Sequence, residues 1–285
     1  MINGGLVLEG GGMRGIYTAG ALDCLIDNNI YFKDIFAVSA GACHACSYVS
    51  KQRGRAYKAN ITYLNDKRYA SFRNLIKEGN YFAEDFVYHE IPDSLIPLDF
   101  DAMENSGMNF YAAVTNCRSG EAEYHLVKNY GSGAEIVRAS SALPYLSKEI
   151  KLGNEMYLDG GISDAIPILQ SIKSGNERNL IILTRDKEYI KPKNKAAALH
   201  KIRYKKYPKL ADAMNSKHLE YNNTLSFINE LEFSGKAAVI RPKSPPEVSR
   251  LERNTKKLKN LYEQGYKDAS EKLNEITTIM TDCNK

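Results

Sequence analysis

A chain of 285 residues with 43% hydrophobic content can bury one large core or two modest ones. Its 39 Lys and Arg against 34 Asp and Glu give a balance too mild for a nucleic-acid binder, though compatible with transient contact with an anionic membrane surface. The five cysteines (Cys24, Cys43, Cys46, Cys117, Cys283) are odd in number and lack paired metal spacing, which argues against a disulfide scaffold. Cys43-His44-Ala45-Cys46 has no second pair, so it is expected to pack as small side chains rather than to hold zinc. No charged start precedes a long apolar region, and no run approaches the ~20 apolar residues of a membrane span. The expectation is a cytoplasmic chain, at most peripheral to a membrane, with no metal and no cofactor.

In chain order, Gly4 to Leu8 reads as a buried strand that delivers Glu9-Gly10-Gly11-Gly12-Met13-Arg14-Gly15. From Arg14 the apolar positions Ile16, Ala19, Leu22 and Leu25 recur at helical spacing, so the glycines lie between a strand and a helix N-terminus. Asp34 to Val38 is a second strand. It stops at Ser39 and turns at once into the small-residue helix 40–46. Residues 55 to 97 interleave aromatic with basic residues, a composition that fits either ordinary amphipathic helices or a lid settling at a lipid interface. Asn109 to Thr115 is a strand, paired with 122–125 through Arg118-Ser119-Gly120-Glu121. Ile136 to Leu143 is a short helix stopped by Pro144, and Lys148 to Leu158 is a hairpin turning at Gly153-Asn154 and ending in Asp159-Gly160-Gly161. Leu180 to Thr184 and Lys236 to Ile240 are further strands. Around them lie a basic run (Lys201, Arg203, Lys205, Lys206, Lys209), helical segments through Phe227, and a long helix or helix pair from Leu251 to Ile279 with Leu258, Leu261, Tyr262 and Gly265 on one face.

A serine on a tight strand-to-helix turn, among Ala37, Ala40, Gly41 and Ala42, is presented as a nucleophile; the structural alternative is a helix cap. The glycine loop exposes amides beside a helix N-terminus and so suits an anion. Read as Gly10-x-Gly12-x-x-Gly15 it matches a dinucleotide fingerprint, but Asp34 stands at the wrong end of the second strand for the ribose. Read as an oxyanion hole it gains from topology, because strand, helix, strand in a parallel sheet brings the loop and Ser39 to one sheet edge.

With Gly10-Gly11-Gly12-Met13-Arg14-Gly15, Ala37-Val38-Ser39-Ala40-Gly41 and Asp159-Gly160-Gly161 in this order, the chain resembles the patatin-like phospholipase family. The resemblance implies a three-layer α/β/α fold with a mainly parallel central sheet. It implies one domain over residues 1–285, with a helical insertion around 55–100 and a basic helical region over 190–285. It also implies a serine acyl-ester hydrolase of lipids, of phospholipase A or lysophospholipase type. Ser39 would be the nucleophile and Asp159 the base, with the Gly10 to Gly15 loop as oxyanion hole and Gly160 and Gly161 shaping the aspartate loop. Ala37 departs from the family, which usually has Gly there; a methyl costs little if φ is negative. An aspartate is a weak base for a hydroxyl, so such a dyad needs desolvation and preorganised charge stabilisation. Three rivals remain: a Ser-Asp-His esterase using His200 or His218, approach of His44 to the site from the helix behind the serine, and a catalytically weak lipid- or partner-binding protein on the same fold.

Overall fold

Strands that are apolar on both faces need helices on both faces, and that requirement builds the molecule. The computed structural model describes residues 1–128 and 130–281. Its eight-stranded sheet comprises β1 (Ile2–Leu8), β2 (Phe32–Val38), β3 (Asn109–Asn116), β4 (Ala122–Leu126), β5 (Ile150–Leu152), β6 (Glu155–Asp159), β7 (Asn179–Ile182) and β8 (Ala237–Ile240). The helices are α1 (Ile16–Asp27), α2 (Ala40–Val49), α3 (Arg55–Ile61), α4 (Phe72–Glu78), α5 (Phe100–Glu104), α6 (Tyr130–Ser140), α7 (Ile168–Lys173), α8 (Ala197–Arg203), α9 (Pro208–Phe233), α10 (Thr255–Glu271) and α11 (Leu273–Thr281), with a π-helical stretch over Phe86–Leu95. Among the described residues, no helix is long and apolar enough to cross a membrane.

β3, β2, β1, β7 and β8 run parallel, and β4 and β6 pair antiparallel with β3. Alternate residues feed two cores. Leu6, Leu8, Ile35, Ala37, Leu180 and Ile182 pack with α1, α2, α10 and α11 on one face, while Val7, Ile181 and Val239 pack with α7 and α9 on the other. The three-layer α/β/α arrangement expected from the sequence is therefore the one observed.

The register on β3 brings two distant loops together. Along β3, β2 pairs residues 109–113 and ends with Val38 opposite Ala113, and β6 pairs residues 114–116 and ends with Asp159 opposite Val114. β4 already occupies the opposite edge from Tyr111 to Thr115. β2 and β6 must then share one edge, approaching head to head, so the chain after Val38 and the end of β6 meet at adjacent positions of β3.

Several boundaries differ from the sequence reading. The glycine loop first forms a 3-10 turn over Gly12–Gly15, and α1 starts only at Ile16. Helix α6 begins at Tyr130 rather than Ile136, because burial of Ala134 and Val137 overrides the poor helix propensity of Gly131 and Gly133. The C-terminal segment is a helix pair, α10 and α11, as one of the two expectations had it, but α10 starts later than Leu251, at an Asn254 cap whose side chain accepts the Lys257 N–H. Several aromatic residues between 55 and 97 turn inward: Tyr69, Tyr81 and Phe86 form a buried cluster with Ile91, Tyr63 and Phe82 pack partly against it, and Phe72 and Ile76 of α4 remain exposed. The basic run 201–209 is a solvated surface around the buried Tyr204. Cys24, Cys43, Cys46 and Cys117 are free thiols, and Cys283 lies outside the described residues.

Helices α1 and α10 cross through paired glycines. A Cβ on Gly265 would lie 2.0 Å from the Tyr17 carbonyl oxygen, and one on Gly20 would lie 2.0 Å from that of Tyr262. Flanking this contact, the Tyr17 hydroxyl donates to Asp268 Oδ2 at 2.9 Å and the Tyr262 hydroxyl to Asp23 Oδ2 at 2.6 Å. Gly265→Val is accordingly expected to cost about 2 kcal/mol or more in urea unfolding, because the helices must separate to admit the side chain; an unchanged midpoint would mean that they do not pack this closely.

Candidate active site

Ser39 follows β2 directly and precedes α2, and the turn between them is sharp. Its backbone sits at φ 54°, ψ −123°, a region that glycine tolerates and other residues rarely adopt. The Ser39 N–H donates to Ser140 Oγ at 2.9 Å, which ties the turn to the end of α6. Ser39 offers its own N-terminal helix amides no side-chain bond, so the cap reading fails. Instead its Oγ donates to Asp159 Oδ2 at 2.6 Å across 120 residues of sequence. Ala37 is fully buried in β2 between Leu8 and Ala112 and is not among the positive-φ residues, so its methyl needs no glycine conformation. Gly41 lets α2 run against the first strand, since a Cβ there would lie 2.9 Å from the Leu8 carbonyl oxygen.

Asp159 is only 4% exposed, and each of its carboxylate oxygens is assigned. Oδ2 accepts the serine hydroxyl, and Oδ1 accepts the Gly161 N–H at 2.7 Å, which fixes the rotamer. Its main chain is held as firmly: its N–H donates to the Ala142 carbonyl at 2.9 Å, and its carbonyl accepts the Thr115 hydroxyl at 2.9 Å. Gly160 continues the turn as the first residue of a short 3-10 segment.

The glycine loop abuts this pair, for a Cβ on Gly10 would lie 3.1 Å from Ser39 Cβ. Of the loop amides expected to face an oxyanion, some are engaged elsewhere in the structure. The Gly10 N–H donates to the Ala165 carbonyl and the Met13 N–H to that of Arg250, so both anchor the loop. The amides of Gly11 and Gly12 have no hydrogen-bond partner among the described residues, and Gly12 turns the loop at φ +57°. Arg14 and Gly15 complete the 3-10 turn into α1, with the Arg14 side chain buried.

Among the described residues, no histidine is bonded to either side of the pair. His44, on α2, is 3% exposed, and burial holds its imidazole neutral by pulling its pKa down to about 4. His200 Nδ1 meets Asn215 Oδ1 at 2.8 Å and its Nε2 meets Asn194 Nδ2 at 3.2 Å, so both ring nitrogens are occupied. His218 Nδ1 bonds the Asn215 carbonyl. Cys43 contacts Ser141 Oγ at 3.3 Å and Cys46 packs in the core.

Ser140, Thr115 and Glu9 support the site without having been singled out in the sequence. Glu9 is buried at the head of the glycine loop, where it accepts the Tyr221 hydroxyl at 2.6 Å and the Thr184 N–H at 2.5 Å. A glutamate placed between an apolar strand and a glycine loop was the one available signal.

Ser39 stands where two cavities meet. One, of about 140 Å³, is walled mainly by apolar side chains, among them Cys46, Val87, Ile91, Leu98 and Val137. The other, of about 600 Å³, opens over Asp159 and the glycine loop and is lined by polar and cationic groups. A hydroxyl bonded to a shielded carboxylate, with two idle amides in the adjoining loop, is equipped to pass its proton while a carbonyl is attacked.

A family model described as "Patatin-like phospholipase" matches residues 6–172, and a second, described as "Domain of unknown function (DUF6363)", matches residues 207–281. Among curated proteins, "Uncharacterized protein YjjU" of Escherichia coli (strain K12) is 32% identical over 185 residues, 63% of this chain and 51% of that protein. "Lysophospholipase NTE1" of Meyerozyma guilliermondii is 24% identical over 279 residues, 94% of this chain and 19% of that protein. "Lysophospholipase nte1" of Aspergillus niger is 30% identical over 173 residues, 58% of this chain and 11% of that protein. The chain thus spans about half the length of the first of these relatives and far less of the other two. The crystal structure of VipD from Legionella pneumophila superposes with a TM-score of 0.53 at 15% identity, covering 98% of this chain and 67% of that one, a likeness of fold alone.

The turn at residue 39 carries backbone strain that can be read directly. Ser39→Gly is expected to unfold at higher urea than Ser39→Ala, by about 1 kcal/mol, because both remove the hydroxyl and only glycine relaxes at this φ. Equal stabilities would mean that the turn is not strained.

Proposed function

Because this chain belongs to the patatin-like phospholipase family, we propose that it is a serine hydrolase of lipid acyl esters working through Ser39 and Asp159 alone. The observation that carries this reading is the 2.6 Å bond from Ser39 Oγ to Asp159 Oδ2, made by a serine in a strained turn at the junction of two cavities. Support also comes from the relatives named lysophospholipase.

In the proposed reaction Asp159 Oδ2 takes the proton of Ser39 as Oγ bonds the ester carbonyl carbon. The carbonyl oxygen becomes an oxyanion and accepts from the Gly11 and Gly12 amides, which have no other partner among the described residues. Collapse breaks the ester C–O bond, and the proton held by Asp159 passes to the departing alcohol oxygen. Water then adds to the acyl-Ser39 carbon, giving its proton to Asp159. A second collapse returns that proton to Ser39 Oγ and releases the fatty acid. The apolar cavity beside Cys46 and Ile91 suits the acyl chain. The dyad needs no histidine, because among the described residues the bonds to the Asp159 carboxylate come from Ser39 and Gly161.

Hydrolysis of nitrophenyl butyrate and of lysophospholipids by purified protein tests the assignment. Ser39→Ala and Asp159→Asn should each lose roughly a thousandfold or more in kcat/KM while remaining folded, and His200→Ala and His218→Ala should still turn over. Loss of turnover in a folded histidine variant would replace the dyad with a triad; full turnover in Ser39→Ala would remove the serine from the mechanism.

A further inference from the structure

The larger cavity over Ser39 has an unbalanced charge. Arg14, Arg185, Lys191, Lys217 and Arg250 all line it, from four separate parts of the chain. Among the described residues, none of the five forms a salt bridge with a carboxylate. Two carboxylates share the cavity, and both are taken by other donors: Glu9 by the Tyr221 hydroxyl and the Thr184 amide, Asp159 by Ser39 and the Gly161 amide. Two of the cations lie instead over aromatic rings, which orient them without neutralising them. Arg185 lies 4.3 Å from the Tyr189 ring centre, and Lys191 lies 3.9 Å from that of Tyr221.

Arg14 is the most deeply set of the five. Its side chain is 7% exposed, and its Nε is buried with no hydrogen-bond partner among the described residues. A buried guanidinium N–H left idle costs free energy unless a ligand accepts from it. Burial and the adjacent Arg185 pull the Arg14 guanidinium down to about 10, burial and Lys217 pull the Lys191 ammonium down to about 7, and burial lowers Lys217 to about 8. These directions follow first from burial, and for Arg14 and Lys191 also from neighbouring cations.

We propose that this cavity is a headgroup chamber that selects acyl esters carrying an anionic phosphate headgroup over zwitterionic ones bearing an ammonium. The inference rests on the hydrolase reading and adds the substrate class to it. Fork-shaped guanidinium donors at Arg14, Arg185 and Arg250 suit phosphate oxygens, and Lys191 and Lys217 add point charges. A quaternary ammonium tethered to the phosphate would have to enter the same cationic space, where both carboxylates are already engaged. Four of the five cations, all but Arg14, come from outside the part of the chain that matches the phospholipase family. Arg185, Lys191, Lys217 and Arg250 all lie beyond residue 172, where that match ends, whereas Ser39, Asp159 and the glycine loop lie within it. The acyl chain and the headgroup then enter different cavities from Ser39, one apolar and one cationic.

The test compares lysolipids of one acyl chain with phosphate, phosphoglycerol or phosphocholine headgroups, in mixed micelles of one neutral detergent, using the full chain. The wild type is expected to favour the two anionic lipids by about tenfold or more in kcat/KM, the effect of one charge-assisted hydrogen bond. The double variant Lys191→Met, Lys217→Met should bring that ratio toward one, and Lys191→Arg, Lys217→Arg should keep it. Ratios separate headgroup preference from any general loss of folding or turnover. A parallel arm measures binding of dihexanoyl phosphatidic acid and dihexanoyl phosphatidylcholine to Ser39→Ala protein by calorimetry, so it reads the chamber even if ester hydrolysis itself fails. Tighter binding of phosphatidic acid, weakened about tenfold by the Met pair, supports the chamber. Equal affinity for the two lipids, a ratio the Met pair does not move, or inorganic phosphate binding as tightly as the lipid would each overturn it.

Discussion

The structure depends on one accommodation along the edge of β3. A parallel strand and an antiparallel strand share that edge and stop one residue apart, Val38 opposite Ala113 and Asp159 opposite Val114. Because both strands point toward the gap, whatever follows each must leave the sheet there. The chain after β2 turns out at Ser39 with a positive φ, and the chain after β6 turns out at Asp159 into Gly160 and Gly161. The hydrogen bond between the two side chains is a consequence of sheet register before it is anything catalytic. It is maintained from outside the pair: Ser140 holds the serine amide, Ala142 and Thr115 hold the aspartate backbone, and Gly161 holds the second carboxylate oxygen.

Local signals in the sequence marked two turns, and the order of three motifs with the family resemblance singled out Ser39 and Asp159 there. A short apolar strand, a serine and a run of small residues suit a tight strand-to-helix turn, and an aspartate followed by two glycines at a strand end suits another turn. Parallel strand order placed the glycine loop beside the serine. Registers were not legible, since pairing of β6 beyond the end of β2 depends on which edge of β3 is free, and nothing local encodes that choice. Which loop amides are idle was hidden for the same reason, because the Gly10 and Met13 amides are consumed by Ala165 and Arg250, both far away in sequence.

The positive charge shows the limit more sharply. Lys201 to Lys209 is conspicuous as a run, yet it is a solvated surface. Arg14, Arg185, Lys191, Lys217 and Arg250 are scattered over the chain and draw no attention singly, but folding gathers them over Ser39. A run of like charges in sequence tends to face water, where repulsion is screened. Concentrated charge inside a cavity has to be assembled from separate elements, so it escapes a linear reading.

The proposed chemistry requires that an acyl group pass through residue 39. Acid-quenching the protein during turnover of a nitrophenyl ester and mapping the modified peptide by mass spectrometry observes that step directly. The account expects the acyl mass on the peptide containing Ser39, absent from Ser39→Ala and accumulating less in Asp159→Asn. An acyl group on any other residue, or rapid turnover with none trapped on Ser39, would contradict it.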